Sequence, residues 1–231
     1  MRLKWFPRSW VQIITDNYVI YFDPSYIATY YKRNLKKIVF SDREDDVLPE
    51  ELRIADIILI SHIHKDHCKE VTKNRISYNN TLIYTPENYS KSDDKRIKIV
   101  KPNSLIEIEN VKVNILPSYN TPNGNSTRKV HKLGQCNGYI LSIEGKKIYF
   151  TGDTDFIPEM NDIKDVDIAL LPIGGIYTMD IKEAIKAAVT IEPKLVIPIH
   201  HLSSDPLLFK NELEKYNIKT RVLNIGEEIE I

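Results

Sequence analysis

The residues best suited to chemistry fall in one stretch, Ser61-His62-Ile63-His64-Lys65-Asp66-His67, directly after the apolar run Ala55-Asp56-Ile57-Ile58-Leu59-Ile60. A buried strand that ends in three histidines and a carboxylate needs partners or a metal for those groups once they leave water. Side chains two apart on an extended segment point the same way, so His62 and His64 can present their imidazoles together. Neutral imidazole is the commonest protein ligand for zinc and related ions. Asp66 and His67 follow where the chain should turn into a helix reaching about Arg75, and they can address a second metal beside the first. Cys68 comes next and reads as a packing thiol rather than a ligand.

Two later strand ends carry polar groups of the same kind, Thr151-Gly152-Asp153-Thr154 and Ile197-Pro198-Ile199-His200-His201. With the H-x-H-x-D-H string they resemble the metallo-β-lactamase superfamily, in the branch related to ascorbate-6-phosphate lactonase and to the phospholipase D that cleaves N-acyl-phosphatidylethanolamine. The resemblance runs from about Leu3 to the C-terminus. It implies an α/β fold, the four-layer αββα sandwich of two mixed sheets flanked by helices. It also implies that Asp153 bridges two metals, and that His200 rather than His201 is the remaining ligand. The cofactor would be one or two divalent ions, with zinc the default and manganese an alternative. Asp23, in Asp23-Pro24, would orient a ligand histidine, or else be no more than a turn residue.

The chain departs from the family pattern in two places. Where many relatives carry a Gly-His after the first strand, it reads Pro7-Arg8-Ser9. Where most supply a further histidine before the bridging aspartate, it reads Pro117-Ser118-Tyr119-Asn120. Three outcomes are open: Asn120 replaces the imidazole through its carbonyl oxygen, His131 swings in from the following loop, or His62, His64 and Asp153 hold the first metal alone. All six histidines of the chain lie in or near these motifs.

The elements that must position these residues are legible as patterns. A hairpin is expected over Val11–Phe22, then a polar, charged stretch from Tyr26 to about Asp46 and a short helix from Pro49 to Arg53. Short strands follow near residues 82–84, 97–100, 104–108 and 111–116, and a second hairpin spans Gly138–Phe150 across Glu144-Gly145-Lys146. Asp155 reads as a residue behind the metal or as a helix cap before Pro158. Apolar strands at 166–173 and 194–199 flank a helix capped by Asp180, which buries Ile181, Ala184, Ile185 and Ala188. Gly174, Gly175, Tyr177 and Thr178 either line the pocket or simply turn the chain into that helix. A C-terminal helix over 206–216 and a strand from about Thr220 complete the chain.

Composition bounds the function. The 231 residues show no linker or composition shift, so a single domain over 1–231 is expected. Lys and Arg number 32, as do Asp and Glu, and a formal charge of zero removes the broad attraction that nucleic-acid binding relies on. Two cysteines make no disulfide scaffold, and no stretch has the apolar length of a signal peptide or a membrane span, so a cytoplasmic location is expected.

The chemistry expected is hydrolysis of a small-molecule substrate, a phosphodiester, lactone or related ester, by a hydroxide on the metal. Asp66 would orient that hydroxide and relay its proton, and His131, His201 or Tyr177 would serve the leaving group. The competing readings are a nuclease of the same superfamily, and a metal- or ligand-binding module that has lost turnover.

Overall fold

The computed structural model describes residues 1–25, 52–89 and 93–231. The stretch from Tyr26 to Asp46 and the helix expected from Pro49 lie outside these residues, apart from Leu52 and Arg53, which are not helical. The described chain forms two compact units, residues 1–99 with 223–231, and residues 100–222.

The first unit is built on β1 (Arg2–Trp5), β2 (Val11–Ile14), β3 (Val19–Phe22), β4 (Ile57–Leu59), β5 (Leu82–Thr85), β6 (Ile97–Ile99) and β13 (Glu228–Glu230). They pair in the order β13-β1-β2-β3-β4-β5-β6. Pairing is antiparallel from β13 to β3 and parallel from β3 to β6. The expected hairpin is β2 and β3, with Ile13 opposite Ile20. Phe6 stacks on Trp10 at 4.4 Å and, with Tyr21, Ile58, Ile60, Ile76 and Ile83, forms the core.

The second unit carries β7 (Leu105–Ile108), β8 (Val111–Ser118), β9 (Cys136–Ile143), β10 (Lys146–Phe150), β11 (Ile168–Pro172) and β12 (Leu195–Ile199), in the order β12-β11-β10-β9-β8-β7. The strands β10, β11 and β12 are parallel and the rest antiparallel. Each unit therefore holds one mixed sheet. In both, the strands followed by the chemical motifs belong to the parallel part, where neighbouring strands finish on the same side and their exits gather side chains.

The helices among the described residues are α1 (Glu70–Ile76), α2 (Ile181–Ile191) and α3 (Pro206–Glu214), with a single-turn 3₁₀ segment over Pro158–Asp162. Two expectations are corrected here. Helix α1 starts at Glu70, four residues later than expected, because His67 N and Cys68 N both bond to the His64 carbonyl and Lys69 is extended, with its N 3.5 Å from Pro24 O. The chain has to run beside Pro24 before it can coil. The last strand is β13, not a strand from Thr220. Thr220 makes only an isolated bridge to Val196, and β13 instead adds to β1.

Helix α2 starts on Asp180, whose carboxylate accepts from Glu183 N at 2.8 Å. Its fully buried face is Ala184, Ala187, Ala188 and Ile191, while Ile181 and Ile185 pack at the margin of the core. Small residues let the helix backbone come close to Met160, Leu171 and Phe209, which belong to the same core, so the alanines take the centre and the bulkier isoleucines its edge. Glu183 does not reach back to the cap; its carboxylate accepts from Asn125 N at 3.1 Å.

Asp180 also accepts from Asn125 Nδ2 at 3.0 Å. Replacing Asp180 with alanine should cost about 1–2 kcal/mol through the lost cap. In a thermal melt that corresponds to a fall of roughly 2–8 °C for a chain of this size.

Candidate metal centre

The first donor set lies at the exits of β3 and β4. Parallel pairing continues past both strands, with Asp23 N bonded to Leu59 O at 3.0 Å and Ile60 N to Tyr84 O at 2.9 Å, so Asp23 and Ser61 come side by side. Asp23 is buried and adopts φ 45°, a left-handed conformation that turns its carboxylate off the strand. The carboxylate accepts from Ser61 N at 2.6 Å, from Ser61 Oγ at 2.5 Å and from His67 Nδ1 at 2.7 Å. Burial pushes the Asp23 carboxyl up from its ordinary range, and the His67 and Ser61 donors oppose that rise.

These bonds fix tautomers. A neutral His67 that gives its Nδ1 proton to Asp23 keeps a lone pair on Nε2. Ser61 Oγ spends its proton on Asp23, so at 2.9 Å it accepts from His62 Nδ1, and His62 likewise keeps its lone pair on Nε2. The rings of His62 and His67 lie 4.0 Å apart and those of His62 and His64 4.6 Å apart, by centroid. Asp66 sits in the turn with Oδ2 3.9 Å from His67 Nε2. Both Asp23 oxygens are occupied by hydrogen bonds, which makes it the group that orients the ligands rather than a ligand itself.

The second set lies at the exits of β10 and β12 and in the loop after β8. Gly152, at φ 65°, turns the chain so that buried Asp153 follows. Asp153 Oδ2 is 3.6 Å from His131 Nε2 and 3.6 Å from His200 Nε2. His200 is itself left-handed at φ 47°, and Gly174 permits that exit, since a Cβ there would meet His200 O at 2.8 Å. Gly175, at φ 72°, makes the turn toward α2.

His131 arrives from the loop, and Asn120 holds it there. Asn120 Oδ1 accepts from Val130 N at 3.0 Å and His131 N at 2.9 Å, and Asn120 N donates to His131 O at 2.8 Å. Both lone pairs of the carboxamide oxygen are thereby used, so Asn120 acts as a clamp on the loop and not as a substitute imidazole. His131 Nδ1 lies 3.2 Å from the Tyr177 carbonyl, an acceptor only, which again leaves the lone pair of a neutral ring on Nε2.

Asp155 completes the clamp. It is fully buried and accepts from Thr121 N at 2.8 Å and Lys129 Nζ at 2.9 Å. It caps no helix, because the 3₁₀ segment begins from Ile157. Gly124 passes so close that a Cβ would fall 2.1 Å from Asp155 Oδ2. Asn120 as a clamp, Lys129 and Ser61 are positioning residues that the sequence patterns left unassigned; a polar Asn at the place of a family histidine was the one visible signal.

Three further residues singled out in the sequence make other contacts. His201 turns its Nε2 back to Pro198 O at 2.8 Å, and burial lowers its pKa. The Tyr177 hydroxyl lies 3.3 Å from Arg128 Nη1, while its backbone carbonyl is the acceptor facing His131 Nδ1. Cys68 packs against the first core, and burial pushes its thiol pKa up to about 12, as suits an inert packing residue.

Both sets suit a divalent cation by their own chemistry. Tetrahedral zinc with bonds of about 2.0–2.2 Å brings neighbouring ligand atoms about 3.4 Å apart, whereas a direct N–H···O bond is about 2.7–3.2 Å long. The two 3.6 Å separations at Asp153 match shared coordination better than hydrogen bonding. Three imidazoles, His62, His67 and His131, have Nδ1 tied to an oxygen, as ligand histidines characteristically do.

Comparison with known proteins agrees. A family model described as a β-lactamase superfamily domain matches residues 2–200. A Pyrococcus abyssi protein named a metal-dependent hydrolase is 31% identical over 221 residues, covering 88% of this chain and 96% of its own. The crystal structure of a candidate metal-dependent hydrolase from Parabacteroides distasonis is 30% identical with a TM-score of 0.79, covering 96% of this chain and 92% of that one. A metallo hydrolase from Ignicoccus hospitalis, 22% identical with a TM-score of 0.72 over 99% of this chain and 97% of its own, shares the fold.

Removing the Asn120 side chain releases the loop that carries His131. Asn120→Ala should weaken binding of a divalent metal about 10- to 100-fold, the usual cost of losing a group that orients a ligand. Chelator competition measures this, with circular dichroism showing a folded chain; unchanged affinity would mean that the clamp does not govern the donor set.

Proposed function

Because the chain belongs to the metallo-β-lactamase superfamily, with its two mixed sheets and flanking helices, we propose that it is a metal-dependent hydrolase whose ligands are His62, His64, Asp66, His67, His131, Asp153 and His200. The observation that carries this reading is Asp153, whose Oδ2 lies 3.6 Å from two imidazole nitrogens, with His131 fixed in the tautomer that coordinates. The single domain expected over 1–231 is part of the same proposal. A set this rich in imidazole favours zinc.

A divalent cation bound there supplies Lewis acidity, making water more acidic and polarising the oxygen of the bond to be cut. The chain's own residues do the rest. Asp66, half-buried, offers a carboxylate oxygen that holds the attacking water and takes its proton. Asp23 and Ser61 keep the His62 and His67 rings from rotating, so no reorganisation is needed when substrate arrives.

Of the three residues considered for the leaving group, His131 and His201 both have ring nitrogens committed to carbonyls. Tyr177 remains. An arginine can only donate, so the phenol oxygen accepts from Arg128 and its own proton is left to give. The substrate class that follows from the family branch is a small phosphodiester, lactone or related ester. Among the described residues, no helix is long and apolar enough to cross a membrane.

Asp153→Ala should remain folded, because its side chain packs with ligands and not with the apolar core. It should lose both bound cation and more than about 100-fold in hydrolysis of any ester the wild type cleaves, since a direct ligand matters more than an orienting group. Elemental analysis of the purified variant, beside a panel of phosphodiesters and lactones, checks this. Full metal content and full activity in the variant would reject the assignment.

A further inference from the structure

The loop that delivers His131 differs from the rest of the chain in charge. From Tyr119 to Gln135 it carries Arg128, Lys129 and Lys132 and no carboxylate, in a protein whose formal net charge is zero. Lys129 is neutralised by buried Asp155. Arg128 is exposed, and among the described residues no carboxylate forms an ion pair with it.

Its guanidinium is nevertheless held in place. The carbon Cζ stands 5.7 Å from the Tyr177 ring centroid, and Nη1 is 3.3 Å from the Tyr177 hydroxyl. The backbone is fixed too, with Arg128 N bonded to Ile176 O at 2.8 Å and Thr127 N to Gly175 O at 3.2 Å. An exposed arginine ordinarily gives up rotamer freedom when it captures a ligand; held over a ring and bonded to its hydroxyl, it has lost part of that freedom already. Four of its five N–H donors stay available to solvent or to a ligand. The same Tyr177 supplies the carbonyl that orients His131, so a single residue spaces the free cation from a proposed metal ligand.

From this the geometry points to Arg128 as the substrate-reading residue of the site, recognising an oxyanion retained by the substrate, a phosphate or a carboxylate. This rests on the reading of the site as a hydrolase and narrows it: esters that carry an anionic group are preferred over neutral ones. The planar fork of a guanidinium matches two oxygens of such a group, and a lysine at the same place would not. Tyr177 would join recognition to chemistry, because the hydroxyl that holds the guanidinium is the one proposed to protonate the leaving group.

The test is calorimetric titration of inorganic phosphate, and separately acetate, into wild type, Arg128→Gln and Lys132→Gln at constant ionic strength, each with zinc and metal-free, with metal content measured on the same samples. Arg128→Gln is expected to weaken phosphate binding about tenfold or more, the worth of a charge-assisted hydrogen bond. Its metal content should be unchanged, and Lys132→Gln should bind nearly as the wild type does. A shift for acetate as large as for phosphate would identify a general oxyanion reader; a shift for phosphate alone would identify a phosphoryl reader.

Equal phosphate affinity in wild type and Arg128→Gln, with or without zinc, would overturn the inference, as would an equal loss in Lys132→Gln, which would indicate diffuse charge only. Failure of the hydrolase reading looks different: the wild type would take up no zinc, whatever its affinity for phosphate.

Discussion

A buried carboxylate at the end of β3 is the constraint on which the first half of the site depends. Asp23 has no water to solvate it, so it must be answered by donors, and the donors within reach are Ser61 and His67. Satisfying Asp23 therefore orders the chain after β4, fixes the faces that His62 and His67 present, and delays the start of α1 until Glu70. A local rule about where a helix begins gives way to a buried charge that cannot be left unpaired. Loss of one hydrogen bond to such a group costs more than the helical turn that is forgone.

The second half of the site reaches the same end with neutral groups. Its orienting acceptor for His131 is a backbone carbonyl, that of Tyr177, and its clamp is the carboxamide of Asn120. A carbonyl polarises the imidazole less than a carboxylate does, so His131 is oriented more weakly than His67 is by Asp23. The cost is a long polar loop that needs its own support, which Asp155, Lys129 and Glu183 provide from beneath. The ion pair to Asp155 is half sheltered, with the carboxylate fully buried, and it holds the loop where a surface pair would not.

Both sets also share a backbone device. Asp23 and His200 adopt left-handed conformations at strand ends, at a cost of order 1–2 kcal/mol each for a residue with a Cβ. Glycine could adopt the same turn without strain but would bring no functional group. Gly152 takes the turn just ahead of Asp153, where the side chain that matters comes one residue later.

Period-two alternation and apolar runs locate nearly all the strands, because those patterns record which face each residue buries, and the Asp180 cap marks α2 for the same local reason. The ligand string His62, His64, Asp66, His67 is legible because its spacing is short. What Asn120 does is not legible: its partners, Val130 and His131, lie ten and eleven residues away, and a side-chain amide reads alike as ligand and as clamp. The same holds for the tautomers of His62, His67 and His131, for the turn of His201 back onto its own strand, and for the pairing of β13 with β1 across the whole length of the chain. Residue types set which donors exist; only the folded chain, by bringing Asp23 to Ser61 and His67 and the Tyr177 carbonyl to His131, decided which nitrogen of the His62, His67 and His131 rings is left to bind.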